Sequence, residues 1–383
     1  MTKLLHLSCL GTLILFCSSF LSTETPLLPV LAAQEAAEGN AGAAPAAPPE
    51  ETPNAGPGRR RPHARPGQGD ASKADAKKPG EKKPEKPRVP FETQFEKAGA
   101  SDPIYISQDE CITRDRMYLV ANYFKGGASE ETVPVILLHN FGASKEEMMP
   151  LAQTLAAAGM AVLVPDLRGH GESTFRAVMD FSSGDRPTVR REGDYTYDKF
   201  DPDELAKINS IDGPFWYAFL VNQHNQKRLN LRKLILIGNQ SGGFVASSWA
   251  AIDWSAPSSR KGRFVKGLIL FSPDSQECLP PLERLKGEKP GDSLGLLVLL
   301  GEISRDKLTS AKEIQKEFGG KEADVAPDDK KAMVASFKTE AQGIALVDAK
   351  NFKIDELITR FIDHRLGKIK SRDAQWTVIK TED

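Results

Sequence analysis

From about residue 93 onwards, short apolar runs alternate with amphipathic stretches. The apolar runs predict β-strands, and the amphipathic stretches predict helices that connect parallel strands. The central runs are almost continuously apolar, which is typical of strands buried on both faces of a sheet. The predicted strands span residues 117–124, 133–138, 161–164, 234–237, 265–271, 294–300 and 333–337, and the predicted helices span residues 145–158, 215–226, 244–251 and 354–366.

This pattern also sets the limits of the predicted domain. Residues 93–370 hold all of the predicted elements and are long enough for one large α/β domain. Residues 371–383 are expected to form a C-terminal tail. In sheets of this kind ligands bind at the carboxyl ends of the strands, so the loops that follow the strands are the candidates for chemistry.

The first 33 residues have the composition of an export signal. Lys3 supplies the positive start, residues 4–21 are mostly apolar, and residues 30–33 offer small side chains for cleavage. Serine and glycine residues interrupt the apolar run, which makes it a poor permanent transmembrane helix. The sequence therefore predicts an exported protein, periplasmic, cell-envelope or secreted, with an uncleaved N-terminal membrane anchor as the alternative.

Residues 34–92 are rich in Ala, Pro, Gly, Glu and Lys and have almost no aromatic or β-branched residues. Such a composition buries too little apolar surface to fold, so we expect a disordered linker. Its later part is basic, which suits either a solvated spacer or a tether to an anionic polymer of the cell envelope or to a membrane. The formal net charge of −1 and the lack of stacking side chains in the linker argue against nucleic acid as a partner.

The cysteines and histidines give no sign of a metal site. Of the 4 cysteines, Cys111 and Cys278 lie in the predicted domain, where they form either a disulfide or two buried thiols. No group of Cys and His residues has the spacing of zinc ligands, so neither a metal nor a cofactor is predicted.

Three loops that follow predicted strands resemble signature segments of one enzyme superfamily. His139-Asn140-Phe141-Gly142 is similar to its H-G-x-G segment, and residues 165–173, P-D-L-R-G-H-G-E-S, are similar to its D-x-R-G-H-G-x-S segment. Residues 238–243, G-N-Q-S-G-G, have the shape of its nucleophile elbow, G-x-Nu-x-G. The chain thus resembles the α/β-hydrolase superfamily over residues 105–367, closest to the serine aminopeptidase and lysophospholipase-like branch.

The resemblance implies an α/β-hydrolase fold, with a mostly parallel central sheet flanked by helices. The stretch from Asp274 to Leu294 is short, so only a minimal cap is expected. In family enzymes a serine attacks the substrate, a histidine removes its proton and an acid orients the histidine. Backbone N–H groups stabilise the oxyanion, and their counterparts here are those of Phe141 and Ser241, in a pocket that Asn140 and Gln240 would share.

The nucleophile position departs from the family pattern. Counted from Gly238, it falls on Gln240, which has no nucleophilic oxygen. In a register shifted by one residue the nucleophile would be Ser241, and Asn239 would replace a flanking glycine. The family's pair of small residues after the elbow aligns without a gap only when Gln240 is at the apex.

The acid and base positions are also changed. The acid position after the seventh strand leads to Ser304, and the base position after the last strand holds Ile344. Asp274, after the preceding strand, is either a substitute acid or a helix-capping residue. No histidine lies between His224 and His364, and His364 is expected about ten residues into the final helix, roughly 15 Å from the base position.

The remaining histidines have structural interpretations. His139 and His170 belong to the loop motifs and are expected to make structural hydrogen bonds, and His224 is expected on the surface of a helix. The insertion over residues 174–210 is rich in Arg and Tyr, which suits either a wall for an anionic or carbohydrate ligand or a mobile surface loop.

Two functions of different classes follow. In the first, an exported α/β-hydrolase-fold protein has lost its triad and binds or scaffolds an unidentified small molecule or protein. In the second, an exported esterase or peptidase-like serine hydrolase uses Ser241 as nucleophile, with Asp274 as acid and a non-standard base. The residues at the three catalytic positions, Gln240, Ser304 and Ile344, favour the first, because one loss of function explains all three.

Overall fold

The structure is a computed structural model that describes residues 89–106, 111–180, 188–193, 195–255, 263–290, 293–302, 304–319, 332–369 and 371–380. The predicted export signal and residues 34–88 of the predicted linker lie outside these residues. Within the described part of the chain, no helix is long and apolar enough to cross a membrane.

Eleven strands and ten α-helices make up the described part of the chain. The strands are β1 (Ile104–Ile106), β2 (Met117–Tyr118), β3 (Ala121–Phe124), β4 (Pro134–Leu138), β5 (Ala161–Pro165), β6 (Phe175–Asp180), β7 (Thr188–Glu192), β8 (Leu234–Asn239), β9 (Val265–Phe271), β10 (Gly295–Gly301) and β11 (Ala332–Phe337). The helices are α1 (Phe91–Lys97), α2 (Met149–Ala157), α3 (Pro202–Lys207), α4 (Gly213–Asn225), α5 (Ser241–Ser255), α6 (Ser275–Gly287), α7 (Arg305–Gly319), α8 (Ala345–Asp348), α9 (Ile354–Lys368) and α10 (Ser371–Ala374).

Eight strands form one sheet in the order β1-β3-β5-β4-β8-β9-β10-β11. All neighbours from β5 to β11 are parallel, and β3 alone runs in the opposite direction, because it pairs antiparallel with both β1 and β5. Leu138 pairs with Gly238, and Asn239 pairs with Phe271. The loops after β4, β8 and β9 therefore leave the sheet side by side, at its carboxyl edge.

The apolar runs are continuous because the central strands are covered on both faces. Ile136 and Leu138 of β4 belong to one hydrophobic core, whereas Val135 and Leu137 belong to the other. All four side chains are fully buried. Successive residues of a strand point to opposite faces, so a strand between two helical layers must be apolar at every position.

The first predicted strand, over residues 117–124, is two strands in the structure. Met117 and Tyr118 pair with β6 in a small three-stranded sheet, whereas β3 pairs with β1 and β5 in the main sheet. Leu119 and Val120 between them are fully buried and carry the chain from one sheet to the other.

The insertion over residues 174–210 contains regular structure. β6 and β7 form an antiparallel hairpin, and α3 and a single π-helical turn, Ile208–Asp212, follow it. Two of its arginines contact aromatic rings. Arg176 lies over the ring of Tyr195, and Arg191 lies over the ring of Tyr118 in β2. In its described residues the insertion is therefore regular structure that contacts the rest of the domain.

Both ends of the domain extend beyond their predicted limits. Phe91 of α1 is buried in the core, so the domain begins before residue 93. The C-terminal tail lies on the domain, where Asn225 pairs with the backbone of Ile379 through two hydrogen bonds of 2.9 and 3.0 Å. This tail also corrects the surface position expected for His224, which is fully buried and has Nε2 2.9 Å from the carbonyl oxygen of Thr377.

Cys111 and Cys278 are both free and buried. Burial raises the pKa of the Cys278 thiol to about 12, so this side chain is inert at neutral pH. The described residues contain no group of three or more His, Cys, Asp or Glu side chains arranged to hold a metal ion.

Candidate functional site

The turn between β8 and α5 is the centre of the candidate site. Gln240 has a φ of 49°, a left-handed conformation that is unusual for a residue with a side chain. A side chain at Gly238 would collide with the backbone of Gly242, and one at Gly242 would collide with the carbonyl oxygen of Leu138. The two crowded glycines thus lie two residues before and two residues after Gln240, which places Gln240 at the apex of the turn.

The side chains at the apex are neutral and partly exposed. Neither the carboxamide of Gln240 nor the hydroxyl of Ser241 makes a hydrogen bond to another described residue, and both residues are half-buried. A side chain at Gly343, in the loop after β11, would come within 2.8 Å of Gln240 Nε2. The loop that carries the base in family enzymes therefore packs directly against the apex.

The N–H group of Ser241 is already hydrogen bonded within the protein. It donates to Oδ1 of Asn140 over 3.2 Å. The backbone N–H of Asn140 in turn donates to Oε2 of Glu147 over 3.0 Å. The N–H of Phe141, the second expected oxyanion donor, makes no hydrogen bond to a described residue. Only one of the two expected donors is therefore open.

Glu147 and Asn239 complete a hydrogen-bonded network that sequence reasoning did not find. Asn239 Nδ2 donates to Glu147 Oε1 over 2.7 Å. Asn239 Oδ1 accepts the N–H of Ile344 over 3.1 Å. The network joins the loop after β4, the short 3-10 helix Lys145–Met148, the elbow and the loop after β11. Nothing in the local sequence of either residue indicates these contacts, because the partners are far apart along the chain.

The acid candidates act as helix caps. Asp274 precedes α6, and its Oδ1 accepts the N–H of Gln276 over 2.9 Å. Its side chain is 46% exposed, and Nζ of Lys307 is 3.9 Å from its other carboxylate oxygen. Ser304 precedes α7, with its Oγ 3.5 Å from the N–H of Lys307. Both placements are those of N-cap residues, and neither side chain is hydrogen bonded to a described histidine.

The loop at the base position is held by hydrogen bonds between uncharged groups. Ile344 packs its side chain against the core of this face of the sheet. Ser272 Oγ accepts the N–H of Gly343 over 2.8 Å and is 2.7 Å from Gln342 Oε1. Gln342 Nε2 donates to the carbonyl oxygen of Gly301 over 2.9 Å. This second network ties together the loops after β9, β10 and β11.

The two histidines nearest the elbow have structural roles. His139 is fully buried, with Nδ1 2.7 Å from the carbonyl oxygen of Asn140 and Nε2 accepting the N–H of Leu167 over 3.0 Å. Burial lowers the pKa of His139 to about 4, although the contact with the Asn140 carbonyl opposes the shift. Burial also lowers the pKa of His170, which stacks on Tyr197 with ring centroids 4.3 Å apart.

Tyr197 brings the insertion next to the oxyanion loop. A side chain at Gly142 would meet its hydroxyl oxygen at 2.9 Å. Phe141 contacts both Tyr197 and His170 through their rings. Part of the insertion therefore walls the candidate site with an aromatic side chain, while Arg176 and Arg191 lie over the rings of Tyr195 and Tyr118.

The turn after β5 is the most strongly bonded part of this edge of the sheet. Arg168 is fully buried, and its guanidinium is 2.5 Å from Asp115, 2.9 Å from Glu204 and 2.7 Å from Asp212. Burial raises the pKa of Asp212 to about 6, even though Arg168 opposes the rise. Asp166, also fully buried, accepts from Nζ of the buried Lys145 over 2.8 Å.

Two open depressions lie elsewhere on the surface. One, of about 670 Å³, lies between α2 and α9 and is lined by residues such as Thr154, Arg360 and Asp363. The other, of about 450 Å³, lies beside α1 and is lined by residues such as Gln94, Asp102 and Tyr105. Neither is lined by a residue of the elbow.

The site can form hydrogen bonds, and acyl transfer makes further demands on its residues. That reaction needs an oxygen nucleophile next to a base with a pKa near neutrality. At the apex stands a carboxamide, and the buried His139 has a pKa of about 4. The open groups are the Gln240 carboxamide, the Ser241 hydroxyl and the N–H of Phe141.

Comparison with known proteins identifies one family. Residues 133–369 match the sequence profile of the family described as alpha/beta hydrolase fold, which is more than half of the chain. The sequence comparison with curated proteins finds no match.

Several solved structures have a similar arrangement. An esterase from Pyrococcus furiosus is 15% identical, with 70% of this chain and 91% of that chain covered at a TM-score of 0.44. A carboxyl esterase from Bacillus coagulans is 12% identical, with 68% and 98% covered at a TM-score of 0.41. A dienelactone hydrolase from Anabaena variabilis is 12% identical, with 68% and 98% covered at a TM-score of 0.40. The fold rests on the family match and the strand order.

Proposed function

The chain belongs to the α/β-hydrolase fold family, as its three loop motifs predicted, and we propose that it is an exported, catalytically impaired member that acts as a binding or scaffolding module. The observation that carries this proposal is Gln240 at the apex of the elbow, where family enzymes hold the nucleophile. A carboxamide has no hydroxyl or thiol to deprotonate, so it cannot attack a substrate carbonyl.

The surroundings of the elbow support the same proposal. Acyl transfer needs a histidine that is held against the nucleophile and titrates near neutral pH. The base position holds Ile344, whose side chain packs into the core. His139 is committed to two backbone partners and has a pKa of about 4.

The same geometry suits a binding role. The Gln240 carboxamide offers a donor and an acceptor, and the Ser241 hydroxyl beside it offers both as well. They stand on a turn that crowded glycines and two hydrogen-bonded networks hold in place. Open polar groups held in this way favour the binding of an unidentified small molecule or protein segment that has neutral hydrogen-bonding groups. The predicted branch of the superfamily, related to serine aminopeptidases and lysophospholipases, stays a prediction.

Labelling with a fluorophosphonate tests the loss of catalysis. This reagent reacts with activated serines, so the purified full chain is expected to take up no adduct by intact mass and peptide mapping. Ser241→Ala is the matched control. A stoichiometric adduct on Ser241 that disappears in the control would overturn the proposal and support an active serine hydrolase with a non-standard base and Asp274 as its acid.

Export is tested separately by the N-terminus of the mature protein. It rests on the positive start, apolar run and small residues of residues 1–33. When the protein is expressed with its natural N-terminus, we expect N-terminal sequencing to show a mature chain that begins near residue 34 and lies outside the cytoplasm. A chain that keeps residues 1–33 in a membrane fraction would support the anchor instead, and a cytoplasmic full-length chain would contradict export. In the first two cases the basic linker could then be tested as a tether to the envelope.

A further inference from the structure

In family enzymes, the N–H of the residue after the nucleophile donates a hydrogen bond to the oxyanion of the substrate. Here that residue is Ser241, and its N–H donates to Oδ1 of Asn140 over 3.2 Å. We propose that Asn140 is a built-in occupant of the oxyanion position, which prevents carbonyl and carboxylate oxygens from binding there. This inference takes from the proposed function only the placement of Gln240 at the apex.

The type of residue at position 140 explains why the oxyanion position is occupied. The related segment in the family is H-G-x-G, and the chain has Asn140 where that segment has its first glycine. A glycine at this point leaves the N–H of the elbow open to a ligand. The side chain of Asn140 supplies an amide oxygen, which is the same kind of acceptor as a substrate carbonyl.

Glu147 is the positioning residue for Asn140. Its Oε2 accepts the backbone N–H of Asn140 over 3.0 Å, and its Oε1 accepts Nδ2 of Asn239 over 2.7 Å. Hydrogen bonds to a carboxylate are stronger than those between neutral groups. Asn239 is also held by the N–H of Ile344 over 3.1 Å. The loop that carries Asn140 is thus anchored to the elbow and to the loop after β11.

A tethered acceptor has an advantage over a dissolved one. A ligand that enters the oxyanion position gives up translational and rotational freedom, whereas the side chain of Asn140 is already in place. The ligand must also break the hydrogen bond between the Ser241 N–H and Asn140 Oδ1, and this oxygen then needs another donor. A simple carboxylate therefore cannot compete, and any ligand of the elbow must use the Gln240 carboxamide, the Ser241 hydroxyl or the N–H of Phe141.

The test follows the backbone N–H of Ser241 by NMR in the full chain labelled with ¹⁵N-serine. Its signal is assigned by its loss in Ser241→Ala. In the unmodified protein we expect this N–H to be protected from exchange with solvent and not to shift when acetate is added. In Asn140→Gly we expect exchange to be about tenfold faster and acetate to shift the signal.

Asn140→Asp is the matched control, because it keeps an oxygen acceptor at the same distance along the side chain. We expect it to retain the slow exchange and the lack of response to acetate. Equal exchange in Asn140→Gly and the unmodified protein would overturn the proposal. So would an unprotected Ser241 N–H in the unmodified protein, a result that does not depend on any variant folding. The readout is a non-covalent signal on the N–H, so its failure is separate from a fluorophosphonate adduct on the hydroxyl of Ser241.

Discussion

The turn after β5 and the elbow after β8 leave the same edge of the sheet, and both resemble family motifs. In the turn, Asp166, Arg168, His170 and Ser173 are all buried. Ser173, for example, accepts the N–H of Val120 and donates to the carbonyl oxygen of Asp166. In the elbow, by contrast, the side chain of Gln240 is partly exposed and makes no hydrogen bond to a described residue.

This difference shows that a family motif can serve either the scaffold or the chemistry. The turn after β5 holds the scaffold together, and its buried charges are required whether or not any chemistry takes place. The elbow places a side chain on a strained turn for reaction, and a different side chain can stand there without loss of the fold. Membership of the family and enzymatic activity are therefore encoded at different positions.

The largest expected effect comes from the turn. Arg168→Met leaves Asp115, Glu204 and Asp212 close together without their shared cation, with exposed side-chain fractions of only 16%, 16% and 3%. Breaking a buried ion network of this kind costs about 3–5 kcal/mol. We expect a loss of that size in the free energy of unfolding, measured with urea.

The matched control is Arg190→Met. Arg190 is 61% exposed and lies 4.0 Å from Asp180, so its replacement should change the free energy of unfolding by less than about 0.5 kcal/mol. If the two variants lost similar stability, the buried network would not be what holds the turn.

The second effect is a pH dependence from His139, beside both motifs. The pKa of His139 is about 4 in the folded protein and near 6.5 in the unfolded chain. Between these values the unfolded chain binds a proton that the folded chain does not, so stability falls as the pH is lowered from 6.5 towards 4. Over that window the loss is at most about 3 kcal/mol, by the conversion of about 1.4 kcal/mol per pKa unit.

His139→Gln removes this titration and should give a flatter dependence of the free energy of unfolding on pH. Other groups act in the same window: burial lowers the pKa of His170 and His224, which adds to the effect, and raises the pKa of Asp212 to about 6, which opposes it. The comparison is therefore between the slopes of variant and parent. Equal slopes would mean that His139 is protonated as easily in the folded protein as in the unfolded chain.

The third effect tests the shape of the elbow. Gly238→Ala places a methyl group against the backbone of Gly242, which cannot move aside as a flexible side chain would. We expect a loss of about 1–3 kcal/mol in the free energy of unfolding. Gly287→Ala, in α6, meets nothing within 4 Å and should be neutral or slightly stabilising. Two variants of equal stability would contradict the tight approach of β8 and α5.

The smallest effect concerns the acid candidate. Asp274→Ala removes the cap of α6 and should cost about 1 kcal/mol of unfolding free energy. Asp274→Asn keeps an oxygen that can accept the N–H of Gln276, so it should cost only a few tenths. Were Asp274 a catalytic acid, both variants would instead lower a measurable hydrolytic rate, whatever their stability.

Local sequence predicted seven of the eight strands of the main sheet but not β1, and it missed the helices α6 and α7. The strand predicted over residues 265–271 is β9, Val265–Phe271, and the helix predicted over residues 354–366 is α9, Ile354–Lys368. These elements are buried, so their apolar pattern records the face that they pack. The hairpin of β6 and β7 was missed, because all but one of its residues are half-buried or exposed and show no such pattern.

The sequence alone also determined which residues the family spacing predicts at the catalytic positions, because that prediction needs only the elbow and the loops after the strands. Tertiary structure alone decided what those residues contact. Asn239 and Glu147 are 92 residues apart, and His224 and Thr377 are 153 residues apart, yet each pair is hydrogen bonded. Local patterns indicate which residues are apolar. A polar contact between distant residues instead depends on two segments that only the completed fold brings together.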